Sequence, residues 1–371
     1  MIILISKFIE ENKIKIKELF NNTSDLVVYE FETLSENMVL VAYINGLIDK
    51  EALDEQVIRP LIENLISPWD IKSTILISEI EEIFSMKDVV NAITNGHLVL
   101  FHEGMELMYE LNICKYKMRA VEQSETEQVI RGPKEAFVED IHVNKTLIRR
   151  KIRNKNLVFE DYVFGEQTNT KVSLVYINGI VNQDILAELK VRLKKVKTDV
   201  ILDGHYIEEY IEDSPRSLVR TVNDTEKPDV LAGKILEGRI GILCDGSPSC
   251  LVLPKIFIEC IMTSEDYYIK PKFSTYLRII RLLSFIISIM LAGTYIALAT
   301  FHQEMIPTKL LISIAGQREG VPLSAFLEAI ALVLFFEFLK EAGLRLPKPM
   351  GATVTLVGVG NRSSSRSGWT C

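Results

Sequence analysis

Apolar positions fall into short, β-branched runs over the front three quarters of the 371-residue chain and into long, uninterrupted runs behind. Val39 to Ile44 and Val172 to Ile177 are of the first kind and predict buried strands. Each ends in Asn-Gly, Asn45-Gly46 or Asn178-Gly179, a pair that tolerates positive φ in a tight turn. The acidic residues that follow, Asp49 and Glu51 or Asp184, suit the first turn of a helix. Ser85 with Asp88 makes a capping-box pattern, and Gly96 is placed to close that helix. Pro228 and Gly238 open and close a later one. Two hairpins are predicted, HLVLF-HEG-MELMYEL and RIGIL-CDG-SPSCLVL, bending at Glu103-Gly104 and Asp245-Gly246.

These elements come in pairs. VAYINGLIDKEALDE at 41–55 returns as LVYINGIVNQDILAE at 174–188, DLVVYEF at 25–31 as NLVFEDY at 156–162, and NGHLVLFHEG at 95–104 as EGRIGILCDG at 237–246. Three matched blocks in one order predict a duplicated structural unit. The first subdomain is assigned to residues 1–130 and the second to 131–272. A charged helix near 133–155 is expected to join them.

The second kind of run is different in kind. Leu282 to Phe301 is uncharged over 20 residues, and as a helix rising 1.5 Å per residue it covers about 30 Å, the thickness of a bilayer core. Lys270, Lys272, Arg278 and Arg281 crowd its front end and Glu304 follows it, so the positive-inside bias keeps residues 1–275 in the cytoplasm. After a short linker with Pro307, the run 323–339 is near the minimum span length and contains Glu328 and Glu337. Nine residues apart, these project from opposite faces of a straight helix. They either mark a polar pathway or sit at the membrane edge, Glu337 then within reach of Lys340 or Arg345 and Glu328 against the linker, and the helix itself can span, lie flat or re-enter. The fold class expected is α/β, with duplicated mixed α/β cytoplasmic subdomains followed by an α-helical transmembrane region over 273–360.

Composition supports this division. Hydrophobic residues make up 48% of the chain, high for a soluble protein. Residues 273–371 hold nine Lys and Arg against five acids, which leaves 33 basic and 45 acidic residues in 1–272. An acidic front argues against a nucleic-acid partner. Five cysteines without CxxC spacing suggest neither a disulfide framework nor zinc, and fit a reducing compartment. The opening MIILISKFIEENK is too short in apolar residues for a signal-peptide core. No phosphate-cradling glycine loop is present. His97 and His102, an odd number of positions apart on a presumed strand, cannot share a metal. No catalytic, cofactor or metal residues are therefore assigned, and the chain is not read as an enzyme.

The motifs TEKPDVLAGKILEGRIGILCDGSP (225–248), SEDYY (264–268), TFHQEMIPTKLLISIAGQREGVP (300–322) and FEFLKEAGLRLPKPMG (336–351) resemble the A-subunit family of spore germinant receptors, the GerA type. The likeness runs from about residue 24 to 358. It implies a membrane subunit of the spore inner membrane with a cytoplasmic N-terminal region. The implied partners are a transporter-like B subunit and a lipoprotein C subunit, and assembly is as a homo-oligomer in the bilayer that couples germinant sensing to ion release. His302, Glu304, Pro307, Arg318, Glu319, Glu328 and Glu337 match the family and are the candidates for membrane coupling. His302 and Glu304 can alternatively cap the first apolar helix. Val333 stands where the family usually has Glu, and Ala292-Gly293 where it has a proline.

The resemblance also bears on the polar tail, NRSSSRSGWTC. The family continues with an apolar helix, and one codon spelling of Asn361 to Cys371 read a base later gives IGQAAVQAGL. Residues 361–371 are thus expected to be an out-of-frame readout, and a product lacking the later helices is expected not to conduct alone. Two rival readings stand beside the receptor subunit: an accessory channel-like protein of the same fold, and a cytoplasmic small-molecule binding module with its ligand between the two halves.

Overall fold

A computed structural model describes residues 5–114, 132–214, 217, 220–318 and 323–345, and the chain divides into two compact units, Met1–Ser274 and Thr275–Cys371. The tail from Asn361 and the candidate Glu319 lie outside the described residues.

The first unit carries the duplication. Its front repeat runs α1 (Ile9–Leu19), β1 (Leu26–Glu32), β2 (Met38–Ile44), α2 (Lys50–Ala52), a π-turn Leu53–Ile58, α3 (Arg59–Asn64), α4 (Ile71–Thr74), β3 (Ile80–Ile83), α5 (Met86–Asn95), β4 (Leu98–His102) and β5 (Met108–Leu111). The second runs α6 (Ile141–Lys151), β6 (Leu157–Phe164), β7 (Thr170–Ile177), α7 (Gln183–Leu193), α8 (Gly204–Ile211), β8 (Asn223–Thr225), α9 (Pro228–Leu236), β9 (Ile240–Cys244) and β10 (Cys250–Leu253). Each repeat folds one antiparallel five-stranded sheet, ordered β1-β2-β4-β5-β3 and β6-β7-β9-β10-β8. Helices cover both faces. In the first repeat α1 and α5 pack on Leu40, Ala42 and Phe101, while the α2–α4 layer packs on Val39, Val41 and Leu100. The second repeats this with α6 and α9 on one face and α7 and α8 on the other. The central strands are therefore buried on both sides, which is why they read as unbroken apolar runs.

The predicted turn chemistry is present. Ser85 Oγ accepts from the Asp88 backbone N–H, and Gly96 and Gly238 end their helices at φ near +90°. Gly46 and Gly179 both adopt φ of 90° after their strands, but only Gly46 is also crowded. A Cβ there would come within 2.2 Å of Thr146 Oγ1 on α6.

Three expectations are revised. The helix near 133–155 is not a connector: α6 opens the second repeat just as α1 opens the first. Asn12 closes a ring with Ser6 (3.0 and 2.6 Å), and Asn144 closes the same ring with Val138 (2.9 and 2.5 Å). The hairpin acids cap these helices, Glu103 accepting from Ile9 N–H and Asp245 from Ile141 N–H. Secondly, each sheet has an edge strand that periodicity did not show, β3 with sequence IEEI and β8 with NDT. Finally, the stretch holding Pro307 is no simple linker. The Pro307 carbonyl accepts from Leu310 and Leu311 N–H and opens α11 (Thr308–Arg318).

The repeats are joined through polar groups. Arg149, 2% exposed, donates from Nε and Nη2 to the Asp25 carboxylate at 2.6 and 2.8 Å, and from Nη2 to Thr23 Oγ1 at 3.2 Å. Thr23 Oγ1 also accepts from Phe159 N–H, and Ser24 N–H donates to the Phe159 carbonyl. Lys145 reaches Asp161 at 2.6 Å and Ser24 at 3.3 Å, and both cations lie over the Phe159 ring. Burial alone would raise the Asp161 carboxyl, but the hydrogen bond and charge of Lys145 outweigh it and hold the pKa low.

In the second unit, α10 (Pro271–Thr300), which begins just ahead of it, is followed by α11 and α12 (Ala325–Arg345). Among the described residues α10 is the helix long and apolar enough to cross a membrane. Only 6% of its apolar window is buried, unlike the core helix of a soluble protein.

Removing one member of the Arg149–Asp25 pair strands a charge in the joint. Arg149→Ala is expected to cost about 3–5 kcal/mol in urea unfolding of the first unit, and the apolar double replacement Arg149→Met with Asp25→Leu much less. Equal losses for the single and double variants would show that the pair is not a buried couple.

Candidate functional site

Helix α9 is the centre of the first unit's polar chemistry, because its polar side chains do not face water. Pro228 starts the helix, its ring supplying the φ that a first turn needs. Leu231 and Ile235 face the sheet, and Gly241 on β9 leaves room for Leu231, whose Cδ1 would lie 2.7 Å from an added Cβ. With that face packed, Lys234 is brought against the segment that follows β10. Its Nζ donates to Glu259 Oε1 at 2.6 Å, and Arg239 Nη2 donates to the same oxygen at 3.1 Å. Arg239 also donates through Nη1 to the Pro254 carbonyl. Glu259 Oε2 in turn accepts from Ile256 N–H at 3.2 Å, closing the 3-10 turn Phe257–Cys260.

A second fastening lies further along. The Tyr268 hydroxyl donates to Asp229 Oδ2, and the Tyr268 ring lies against Gly132, where a Cβ would fall 2.8 Å from Cδ2. Burial, and then the Asp229 carboxylate, push the Tyr268 hydroxyl's pKa well up, so it remains a proton donor. Asp229 is also 3.7 Å from Lys227, whose side chain is fully buried. Between these points Asp266 accepts from Thr263 N–H and Oγ1, and caps the turn Ser264–Tyr267. Residues 254–270 thus form a strap tied to α9 at both ends, and α10 begins at Pro271. The sequence motifs around 225–239 and 264–268 are the two sides of this fastening. Their partnership was missed because charge pairs distant along the chain carry no periodic signal.

The candidates in the second unit are distributed rather than gathered. His302, Glu304 and Pro307 share one short stretch: His302 precedes the 3-10 turn Gln303–Met305, its carbonyl accepting from Met305 N–H at 3.2 Å, and Glu304 is exposed within that turn. Arg318 ends α11. Glu328 and Glu337 lie on α12, Glu328 half-buried and Glu337 paired with Lys340 at 2.8 Å.

Two other arrangements bear on chemistry. Asp203, His205, Asp224 and Ser247 come together, yet the Ser247 hydroxyl donates to Asp203 and not to His205. His205 bridges Asp203 (2.6 Å) and Asp224 (3.5 Å), tying α8 to β8. Among the described residues, an opening of about 240 Å³ between the repeats is lined by Lys15, Glu18, Leu19, Asn21, Lys155 and Asn156. It falls below the ~300–1,000 Å³ of ordinary ligand pockets, and Leu19 is the one apolar residue among those that line it.

The family description Bacillus/Clostridium GerA spore germination protein matches residues 14–359. The chain belongs to the GerA spore germination family. Spore germination protein KA of Bacillus subtilis (strain 168) is 37% identical, over 96% of this chain and 67% of its own length. Spore germination protein GerLA of Bacillus cereus is 37% identical, over 93% and 71%. The crystal structure of the N-terminal domain of the A subunit of the Bacillus megaterium spore germinant receptor GerK3 matches with a TM-score of 0.54 at 28% identity. It covers 69% of this chain and 98% of that one. The GerA fold of two α/β subdomains is therefore shared with a receptor domain, and the family places the chain in spore germination. Receptor-subunit relatives fit a chain that is not an enzyme.

Two predictions follow the geometry. Tyr268→Phe and Glu259→Gln each loosen one end of the strap, so amide exchange across 255–268 is expected to quicken while β9 and β10 stay protected. Unchanged exchange would remove the fastening role. His205 titrates above its ordinary value of 6.5, chiefly through the Asp203 hydrogen bond. Its stabilisation is therefore fully present below the unfolded pKa and is lost as pH rises through the folded one. The stability gap between the GerA chain and His205→Asn, read by urea unfolding, is expected to shrink as pH climbs from about 6 to about 9.

Proposed function

We propose that the chain is an A subunit of a spore germination receptor whose α/β unit passes its state to the membrane through the strap. In this reading α10 crosses the spore inner membrane with residues 1–270 on the cytoplasmic side. The transporter-like B subunit and the lipoprotein C subunit complete the receptor, and copies of the chain assemble to couple germinant sensing to ion release. His302, Glu304, Pro307, Arg318, Glu319, Glu328 and Glu337 act on the membrane side of that coupling.

The observation that supports the reading is the double fastening of 254–270 to α9. A displacement of α9 cannot leave the strap in place without breaking the Lys234–Glu259–Arg239 cluster, whose members are nearly buried and would lose their partners. The strap is covalently continuous with α10, so movement of the sheet layer is delivered to the start of the apolar helix. The basic residues Lys270, Lys272, Arg278 and Arg281 before its uncharged part favour the cytoplasmic side.

Spores carrying Lys234→Met in an intact receptor operon test it. The subunit is expected to accumulate normally, while germinant-triggered release of monovalent cations slows markedly; the paired change Lys234→Met with Glu259→Met is expected to recover part of the response. Wild-type release by the single variant would refute transmission through the strap.

A further inference from the structure

The strap turns Glu259 and Asp266 inward and leaves apolar side chains in the open. Ile256, Phe257 and Ile258 are consecutive and 46%, 60% and 45% exposed, and Tyr267 and Phe273, further along the chain, are exposed as well. Three adjacent apolar side chains held outward by a buried ionic cluster are not the chance exposure of single residues, which needs no explanation. The backbone here cannot turn them in, because Glu259 is engaged by Lys234, Arg239 and Ile256 N–H at once.

We propose that this outer face rests in the lipid headgroup layer, with Ile256, Phe257, Ile258 and Tyr267 as its apolar and aromatic contacts and Lys255, Lys270 and Lys272 set towards anionic lipid. The proposal rests on the reading of α10 as a membrane span. Three observations favour lipid over a protein partner. The strap runs without interruption into α10, and the eleven residues from Pro271 to Arg281 amount to about 16 Å of helix before the uncharged core. Arg278 and Arg281 can carry their charges outward on long stems, which lets the helix sink as far as Leu277; the six residues from Pro271 to Tyr276 then rise about 9 Å, which a tilt brings within the headgroup layer of about 5–8 Å. Composition agrees, since aromatic residues beside lysines are what membrane interfaces select. Finally, Glu259 is neutralised within the cluster and Asp266 is buried as a cap, so two of the segment's three acids are turned from an anionic surface, the third, Glu265, being half-buried.

Single tryptophans report the contact. In a full-length chain with Trp69→Phe and Trp369→Phe, tryptophan is placed by Phe257→Trp, Leu291→Trp or Leu34→Trp, and each protein is reconstituted in phosphatidylcholine and phosphatidylglycerol vesicles. Nitroxide lipids carry the quencher either near the headgroup or at the chain end. The Phe257→Trp emission is expected to be quenched several-fold more by the headgroup nitroxide than by the chain-end one. Leu291→Trp should show the reverse preference, and Leu34→Trp, exposed on the first repeat, little quenching by either. If Phe257→Trp is quenched no more than Leu34→Trp while Leu291→Trp is quenched, the strap stands off the bilayer and the proposal is wrong although the span is real. If Leu291→Trp is not quenched, the span itself fails and takes the proposal with it.

Discussion

A buried guanidinium fixes how the two repeats of the first unit meet. Arg149 belongs to the first helix of the second repeat and Asp25 to the turn ahead of the first strand of the first, so their bond holds one repeat against the other. The surrounding groups leave it little freedom. Thr23 is shared by Arg149, Asp25 and the Phe159 amide, and the Phe159 ring supports both Arg149 and Lys145. Such a buried pair adds less net stability than a packed apolar contact would, but it tolerates only one arrangement of its partners. Gly46 shows the same constraint sterically, since its missing Cβ is what admits Thr146 of α6.

Within that frame the two repeats share a scaffold and differ in what one helix carries. Aligning the closing glycines Gly96 and Gly238 sets Ala92 opposite Lys234, Lys87 opposite Asp229 and His97 opposite Arg239. In the first repeat the positions do local work: Ala92 is core, and His97 pairs with Glu110 of the neighbouring strand. In the second they bind Glu259 and Tyr268, which belong to the segment after the sheet is complete. Duplication thus supplied a rigid helix whose outer side chains were available to hold a connection.

What the sequence made legible follows from the range of each interaction. Buried strands, Asn-Gly turns, the Ser85 cap and the glycine stops are local, and each appears where the pattern placed it. β3 and β8 were hidden because IEEI and NDT are short, polar edge segments that bury too little to show a period. The equivalence of α1 and α6 rests on one buried asparagine and one hairpin acid for each, a signal too small to see among the blocks that match openly. The Pro307 stretch looks like a linker in sequence, although proline ahead of a helix is as much a beginning as an end. The strap was out of reach altogether. Its motifs were visible, but that Asp229 meets Tyr268 and Lys234 meets Glu259 follows from the folded sheet and not from spacing.

The strap's two faces have opposite physics, and this bears on how a small change could travel. Its inner face is a set of nearly buried, charge-assisted bonds, which are short in range and costly to leave half-made. Its outer face is apolar and aromatic, where contact is broad and insensitive to small sliding. A segment of this kind follows its polar anchor closely while moving easily across whatever it rests on. Shifts of α9 too small to disturb the sheet would therefore be carried along the strap with little loss, and the ionic cluster, rather than the apolar face, would decide how far they reach.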